Sequence, residues 1–208
     1  MKDLKKFLTE SSNNKKFILT DEIIKVDGHT LHRIKSLKSF GDVKEGDLGG
    51  FIENENNLSQ EGNCWIADDA CVFDKAIVKD NAEVRDNAKV YGMVQLLNNS
   101  VVYSNAEIYD TAIIGGNAKV HDDAKVYGDS SIMDDANIYG SAKVYDASEV
   151  FDKGKVYDDA EISNGSVSGN SKVCGGAKVV NGGNVCGNSS VSGNAKIDYE
   201  CCDENIDI

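Results

Sequence analysis

The chain of 208 residues contains no proline and one tryptophan, only 7% of it is aromatic, and it carries 22 Lys and Arg against 35 Asp and Glu. Each shortage excludes something. With a net charge of -13 there is no surplus of bases to follow a phosphate backbone or an anionic membrane, so neither nucleic acid nor membrane is an expected partner. No run of about 18 apolar residues is present to form a membrane-spanning helix. Met1-Lys2-Asp3-Leu4-Lys5-Lys6 is not followed by the apolar stretch that a secretion signal needs, and the chain is read as soluble and cytoplasmic. Cysteines stand at 64, 71, 174, 186, 201 and 202 without a compact framework, in a chain long enough to bury a core without staples, so reduced thiols are expected.

What is abundant is acid, and it is unevenly placed. Residues 1–50 carry 10 bases and 8 acids, whereas 53–161 carry 9 bases and 22 acids. From Ser163 to Ile197 there is no acid at all, and Ser, Gly and Asn dominate.

A six-residue unit recurs along most of the chain. Written small-x-aliphatic-x-turn-turn, its aliphatic position is filled from Ile66 and Val72 through Val84, Val102, Val120 and Val144 to Ile162. One residue is missing near Asn164, after which Val167, Val173, Val179, Val185, Val191 and Ile197 resume the register. A strict period of six over about 130 residues suits short strands separated by two-residue corners, and neither a helix nor a sandwich produces it. The small and aliphatic positions lie two apart and point inward, while the residues between and after them point outward. Corners read Asp-Asn, Gly-Asn, Asp-Asp or Gly-Ser, residues that tolerate left-handed backbone.

The outward position after the aliphatic residue sets the number of sides. Phe73, Tyr91, Tyr109, Tyr127 and Tyr145 are spaced by eighteen, as are Tyr103, His121, Tyr139 and Tyr157, and the third column is Leu97, Gly115, Met133 and Phe151. Eighteen is three units, which predicts a triangular coil. The 23 units then give seven to eight coils in a rod on the order of 35 Å long. The fold class is therefore all-β, a three-sided parallel β-helix. Ile23-Ile-Lys-Val26, Asp27-Gly28 and His29-Thr-Leu-His-Arg-Ile34 read as a hairpin that caps the open amino edge of the stack. The expected organisation is a polar tail or short helix over 1–15, a cap over 16–62, the β-helix over 63–198 and an acidic tail over 199–208, which either folds over the carboxyl edge or hangs free. Gly49-Gly50 and Gly182-Gly183 lack the context of a phosphate loop and read as tight turns.

The unit resembles the hexapeptide repeat of left-handed parallel β-helices, with an aliphatic residue followed four positions later by a small one, as in Val84 and Ala88. The runs Asp80-Asn-Ala-Glu-Val-Arg-Asp-Asn-Ala-Lys-Val-Tyr-Gly92 and Gly116-Asn-Ala-Lys-Val-His121, and the leader pieces Phe40-Gly-Asp-Val43 and Gly46-Asp-Leu-Gly-Gly-Phe51, resemble β-helix proteins of bacteria and their phages. For this group the resemblance implies a fold and no agreed activity. The wider hexapeptide group implies acyl transfer from acyl-CoA or acyl carrier protein, with a histidine as general base. His121 is the one histidine in the repeats and the catalytic candidate; its place in the tyrosine column also suits a simple ladder member. No cofactor is expected.

The corner acids Asp86, Asp110, Asp122, Asp134, Asp146, Asp152 and Asp158 serve the corner backbone on the simpler reading and present charge to a partner on the functional one. Tyr91, Tyr103, Tyr109, Tyr127, Tyr139, Tyr145 and Tyr157 either stabilise the ladder or add an aromatic contact surface. A rigid array of carboxylates competes for protein grooves that normally take nucleic acid. The expected partner is therefore a host protein, such as a defence nuclease, bound and inhibited by a decoy. Leu97, Ile113, Met133 and Phe151 make the third face more apolar and mark it as the place for a homo-oligomer contact. No metal site is expected, since Cys174 and Cys186 fall on different faces and Cys201-Cys202 lacks a partner pair at recurring spacing. His29 and His32 read as solvent-facing or packing residues of the cap. A hexapeptide-type acyltransferase and a self-assembling scaffold are the alternatives.

Overall fold

The computed structural model describes residues 15–203 and 205–207. The reading of 1–15 as a tail or short helix thus lies outside the described residues, save at Lys15. Strands β1 (Phe17–Val26) and β2 (His29–Ser36) form the antiparallel hairpin, joined at Asp27 and Gly28, which both take positive φ. β3 (Leu48–Ile52) pairs antiparallel with β2 on one side and parallel with Cys71–Val72 on the other. This single strand converts the cap into the stack.

Gly49 and Gly50 are part of β3, which corrects their reading as a turn. A Cβ on Gly49 would stand 2.5 Å from the Ile66 carbonyl oxygen, and one on Gly50 would stand 2.5 Å from that of Ala70. The pair is glycine because two backbones meet there.

The chain winds through three sheets of eleven, nine and eight strands, the first of which includes β1, β2 and β3 of the cap. Val101–Val102 aligns with Glu83–Val84 on one side and Lys119–Val120 on the other, a displacement of eighteen in each direction, so three units close one coil. The architecture is a three-sided parallel solenoid. Nine strands stack in the second sheet, because Trp65–Ile66 opens it and Asn205–Asp207 closes it. Every aliphatic position is fully buried from Ile66 to Val191, with Ala or Ser beside it in most units. Each Val or Ile contributes about 1.5–3 kcal/mol to this narrow core.

Corners follow from the backbone. The first corner residue takes a left-handed conformation in almost every unit; Asp, Asn or Ser there has φ between 49° and 61° from Asp74 to Asn164, and Gly alternates with them. Its side chain has a second task. Asp86 Oδ2 accepts from the Ser104 N–H at 2.8 Å, Asp110 from Gly128 at 3.2 Å and Asp134 from Asp152 at 3.2 Å, each partner one coil further on. Asn98 does the same for Gly116 through its amide oxygen, at 3.2 Å. The second corner residues form their own ladder, Asn81 donating to Asn99 at 3.0 Å, Asn99 to Asn117 at 3.1 Å and Asn117 to Asp135 at 2.9 Å. At Asn164 the corner is one residue long, and register passes from eighteen to seventeen, with Glu149 opposite Ser166.

The final segment folds onto the carboxyl edge. Glu200–Cys202 pairs in parallel with Asn184–Cys186, and Asn205–Asp207 with Ser190–Ser192. Cys201 occupies an aliphatic position and is buried. This register places Cys186 directly opposite Cys202, with Cα atoms 4.6 Å apart, and the two form a disulfide. The expectation of reduced thiols is corrected at this pair. Cys201 follows Ile197 by four positions where the repeat would have six, so counting in sixes never brings Cys202 over Cys186.

If corner carboxylates matter through the backbone, substitutions at one corner should separate by acceptor and by left-handed tolerance. Asp110→Asn keeps both and is expected to change unfolding free energy by less than about 0.5 kcal/mol, as Asn98 illustrates. Asp110→Ala loses both and is expected to cost about 2 kcal/mol in urea denaturation.

Candidate functional site

The outward aromatic residues form two continuous stacks. Phe73, Tyr91, Tyr109, Tyr127 and Tyr145 lie ring over ring with centroids 4.7–5.2 Å apart and planes within 8° of parallel. On the neighbouring face Tyr103, His121, Tyr139 and Tyr157 stack at 4.6–5.1 Å with planes within 11° of parallel, and the Arg85 guanidinium lies 4.9 Å from the Tyr103 ring. Burial pushes the Tyr91 phenol up to about 12, and the contact with Cys174 pushes that of Tyr157 up to about 12. These hydroxyls remain uncharged donors at neutral pH. Phe73 is buried under the cap hairpin with Leu31, Phe51 and Cys71.

His121 is committed on every side. Tyr103 and Tyr139 cover its two ring faces, Nδ1 stands 3.2 Å from Asp122 Oδ1, and Nε2 stands 3.1 Å from Asn137 Oδ1. The His121 contact holds the Asp122 carboxyl below the usual range, and its other oxygen accepts from the Gly140 N–H at 3.2 Å. A base needs a lone pair directed at substrate. Here both ring nitrogens face other side chains of the rod.

The corner acids divide by their bonds. Asp86, Asp110, Asp122, Asp134, Asp152 and Asp158 each give one oxygen to a backbone N–H of the next coil. Asp146 instead accepts from Ser163 Oγ at 2.6 Å and Asn164 Nδ2 at 3.1 Å. Asp110, Asp129 and Asp146 line a surface notch with Gly128, whose own backbone is packed so close to the next coil that a Cβ there would stand 2.8 Å from the Asp146 nitrogen. On the third face Leu97, Ile113, Met133 and Phe151 are half-buried, Met93 is 54% exposed at the rim, and Ser131, Glu149, Met133 and Phe151 line a shallow depression.

A second charged cluster escaped the sequence reading. His29 Nδ1 stands 3.0 Å from Glu53 Oε1 and Nε2 stands 3.6 Å from Asp74 Oδ1, while the ring packs on Phe73 at 5.0 Å. Glu53 Oε2 accepts from the Asp74 N–H at 2.8 Å, and Asp74 Oδ2 accepts from Gly92 N–H at 3.2 Å. The imidazole thus bridges the hairpin, the exit of β3 and the first full coil. Donors of all three residues lie within 4.8 Å of one another, and each nitrogen faces a different carboxylate, which suits a doubly donating imidazolium. No period links positions 29, 53 and 74, so only the folded cap brings them together. At the opposite end of the hairpin, buried Lys16 donates to the Cys64 carbonyl at 2.9 Å and lies over Phe40; burial pulls its amine down and pushes the Cys64 thiol up.

No model of a known protein family matches the chain. Over 42 residues, 20% of this chain, it is 45% identical to the "Uncharacterized acetyltransferase YdcK" of Escherichia coli (strain K12). The match spans 13% of that protein's length.

The His29 bridge sets a pH dependence. Its hydrogen bond to Glu53 raises the His29 pKa above the ordinary 6.5, so the stabilisation is complete below 6.5 and is lost as pH climbs through the raised value. The same bond lowers Glu53 below the ordinary 4.5, so its share is complete above 4.5 and is lost as pH falls through the lowered value. The thermal midpoint of the wild type minus that of His29→Gln is expected to peak between those values and shrink on both sides.

Proposed function

We propose that the protein is a non-enzymatic interaction rod that binds a host protein through negative charge and stacked aromatic rings. The observation that carries this reading is the corner notch, whose lining brings Asp110, Asp129 and Asp146 together at the surface. A guanidinium or ammonium group of a basic surface fits that chemistry. The notch belongs to a stretch with 22 acids and 9 bases, whose spacing is fixed by backbone pairing. Such a rod competes for a groove that otherwise holds nucleic acid, and the resemblance to phage-associated β-helices favours a defence nuclease in the host cytoplasm as the target. The apolar face around Leu97, Ile113, Met133 and Phe151 is assigned to lateral contact between copies.

A second reading, acetyl transfer, is favoured by the short likeness to YdcK and by the His121–Asp122 pair. It predicts acetyl-CoA turnover that is lost in His121→Phe, a change that keeps the ring stack.

The charge test has to spare the corner backbone. Asp123→Asn, Asp129→Asn, Asp135→Asn and Asp159→Asn together remove four charges, and an amide oxygen replaces the acceptors that Asn105, Thr111 and Asn117 use at 123, 129 and 135. In affinity capture from a bacterial lysate, wild-type protein is expected to retain one nucleic-acid-handling protein in a salt-sensitive manner. The variant is expected to lose it while keeping its thermal midpoint. Retention that ignores these charges contradicts the reading.

A further inference from the structure

We propose that the Cys186–Cys202 disulfide is a redox-controlled clip over a self-association surface, the carboxyl edge of the solenoid, whose partner is a second copy of this chain. The two ends of the rod are unequally covered. At the amino end, β1, β2, β3 and the Phe17 and Ile34 core contacts cover the stack. The carboxyl end is covered by two three-residue strands, and their side chains in the core are Cys201, fully buried, and Ile206, partly so. So small a cap buries little apolar area, and the covalent link to Asn184–Cys186 is what keeps it docked.

Charge identifies the occupant. Asp198, Glu200, Asp203 and Asp207 lie on the terminal segment, while the chain between Ser163 and Ile197 has no acid. Docked, the terminal coil presents carboxylates that repel a second carboxyl end. Undocked, it uncovers the strand edges Asn184–Cys186 and Ser190–Ser192, which join Lys196–Ile197, already the last strand of its sheet, as an open end where no carboxylate opposes close approach. Because the amino edge is capped, the pairing closes tail to tail as a two-fold dimer and does not continue as a filament.

The chemistry balances with a thiol reductant such as glutathione. Two glutathione thiols supply two electrons, the Sγ–Sγ bond breaks, each cysteine sulfur takes a proton, and glutathione disulfide forms. Oxidation by glutathione disulfide reverses the exchange.

The full chain would be compared in glutathione disulfide and in glutathione by light scattering after size exclusion, with amide exchange followed by mass spectrometry. A chelator is included because the freed thiols and the Glu200 carboxylate lie within 4.8 Å and would hold a divalent metal in place of the disulfide. Expected is a mass in glutathione, and in Cys202→Ser, twice that in glutathione disulfide. Reduction should speed exchange in Asn184, whose N–H is held by the Tyr199 carbonyl, about tenfold or more in the monomer at low concentration. Unchanged exchange at Lys119 and Lys125 shows that the rod itself stays folded. Asn184→Glu with Ser190→Glu, which places like charges on the bared edge, is expected to keep the reduced chain at the mass it has when oxidised. The same mass in both redox states, or a dimer that survives the edge charges, would overturn the proposal; lateral pairing through the apolar face would ignore both treatments.

Discussion

Each coil is held to the next by backbone hydrogen bonds that skip seventeen residues, as from the Val101 N–H to the Ala118 carbonyl at 2.9 Å. That pairing exists only if the chain turns through a third of a circle every six residues, and the turn requires a left-handed residue at each corner. Every other feature inherits this constraint. It explains the absence of proline, which would remove a ladder donor, and the alternation of Asp, Asn and Gly along the corners. It also explains why a corner carboxylate is more than charge: it accepts the N–H that the next left-handed residue would otherwise leave without a partner in the ladder.

The same constraint aligns the outward side chains, and alignment governs what the surface can offer. Rings repeated at eighteen stack within 8° of parallel over most of the two columns. Lys and Glu repeated at eighteen pair in the same way, as Lys125 does with Glu107 at 2.9 Å. His121 belongs to this ladder as much as any tyrosine, and its nitrogens face Asp122 and Asn137. What remains turned outward is negative charge at the corners and one apolar face. Those features suit recognition by shape and charge.

The rod was legible in the sequence because its physics is local and repeated. Val84, Val102 and Val120 occupy the same column by counting alone, and the hairpin announced itself at Asp27-Gly28. Where counting stops, so did the reading. Gly49-Gly50 looked like a turn because nothing local reveals that Ile66 and Ala70 pass within 2.5 Å of where a side chain would stand. Cys186 and Cys202 looked unrelated because the last coil shortens, to a separation of sixteen between these two. His29, Glu53 and Asp74 meet only because the cap folds back across the first coil. The service of the corner acids to the backbone was legible, but not that the N–H they accept belongs to the next coil, as Asp86 does from Ser104.

The closure of one coil by three units is most directly tested by cysteine cross-linking in the middle of the rod. Glu107→Cys with Lys125→Cys joins positions paired in register one coil apart, whereas Glu107→Cys with Lys119→Cys joins positions on different faces. Under mild oxidation the first pair is expected to form an intramolecular disulfide and the second is not. Cross-linking of the pair twelve apart, with none for the pair eighteen apart, would contradict the three-sided coil and everything that rests on its columns.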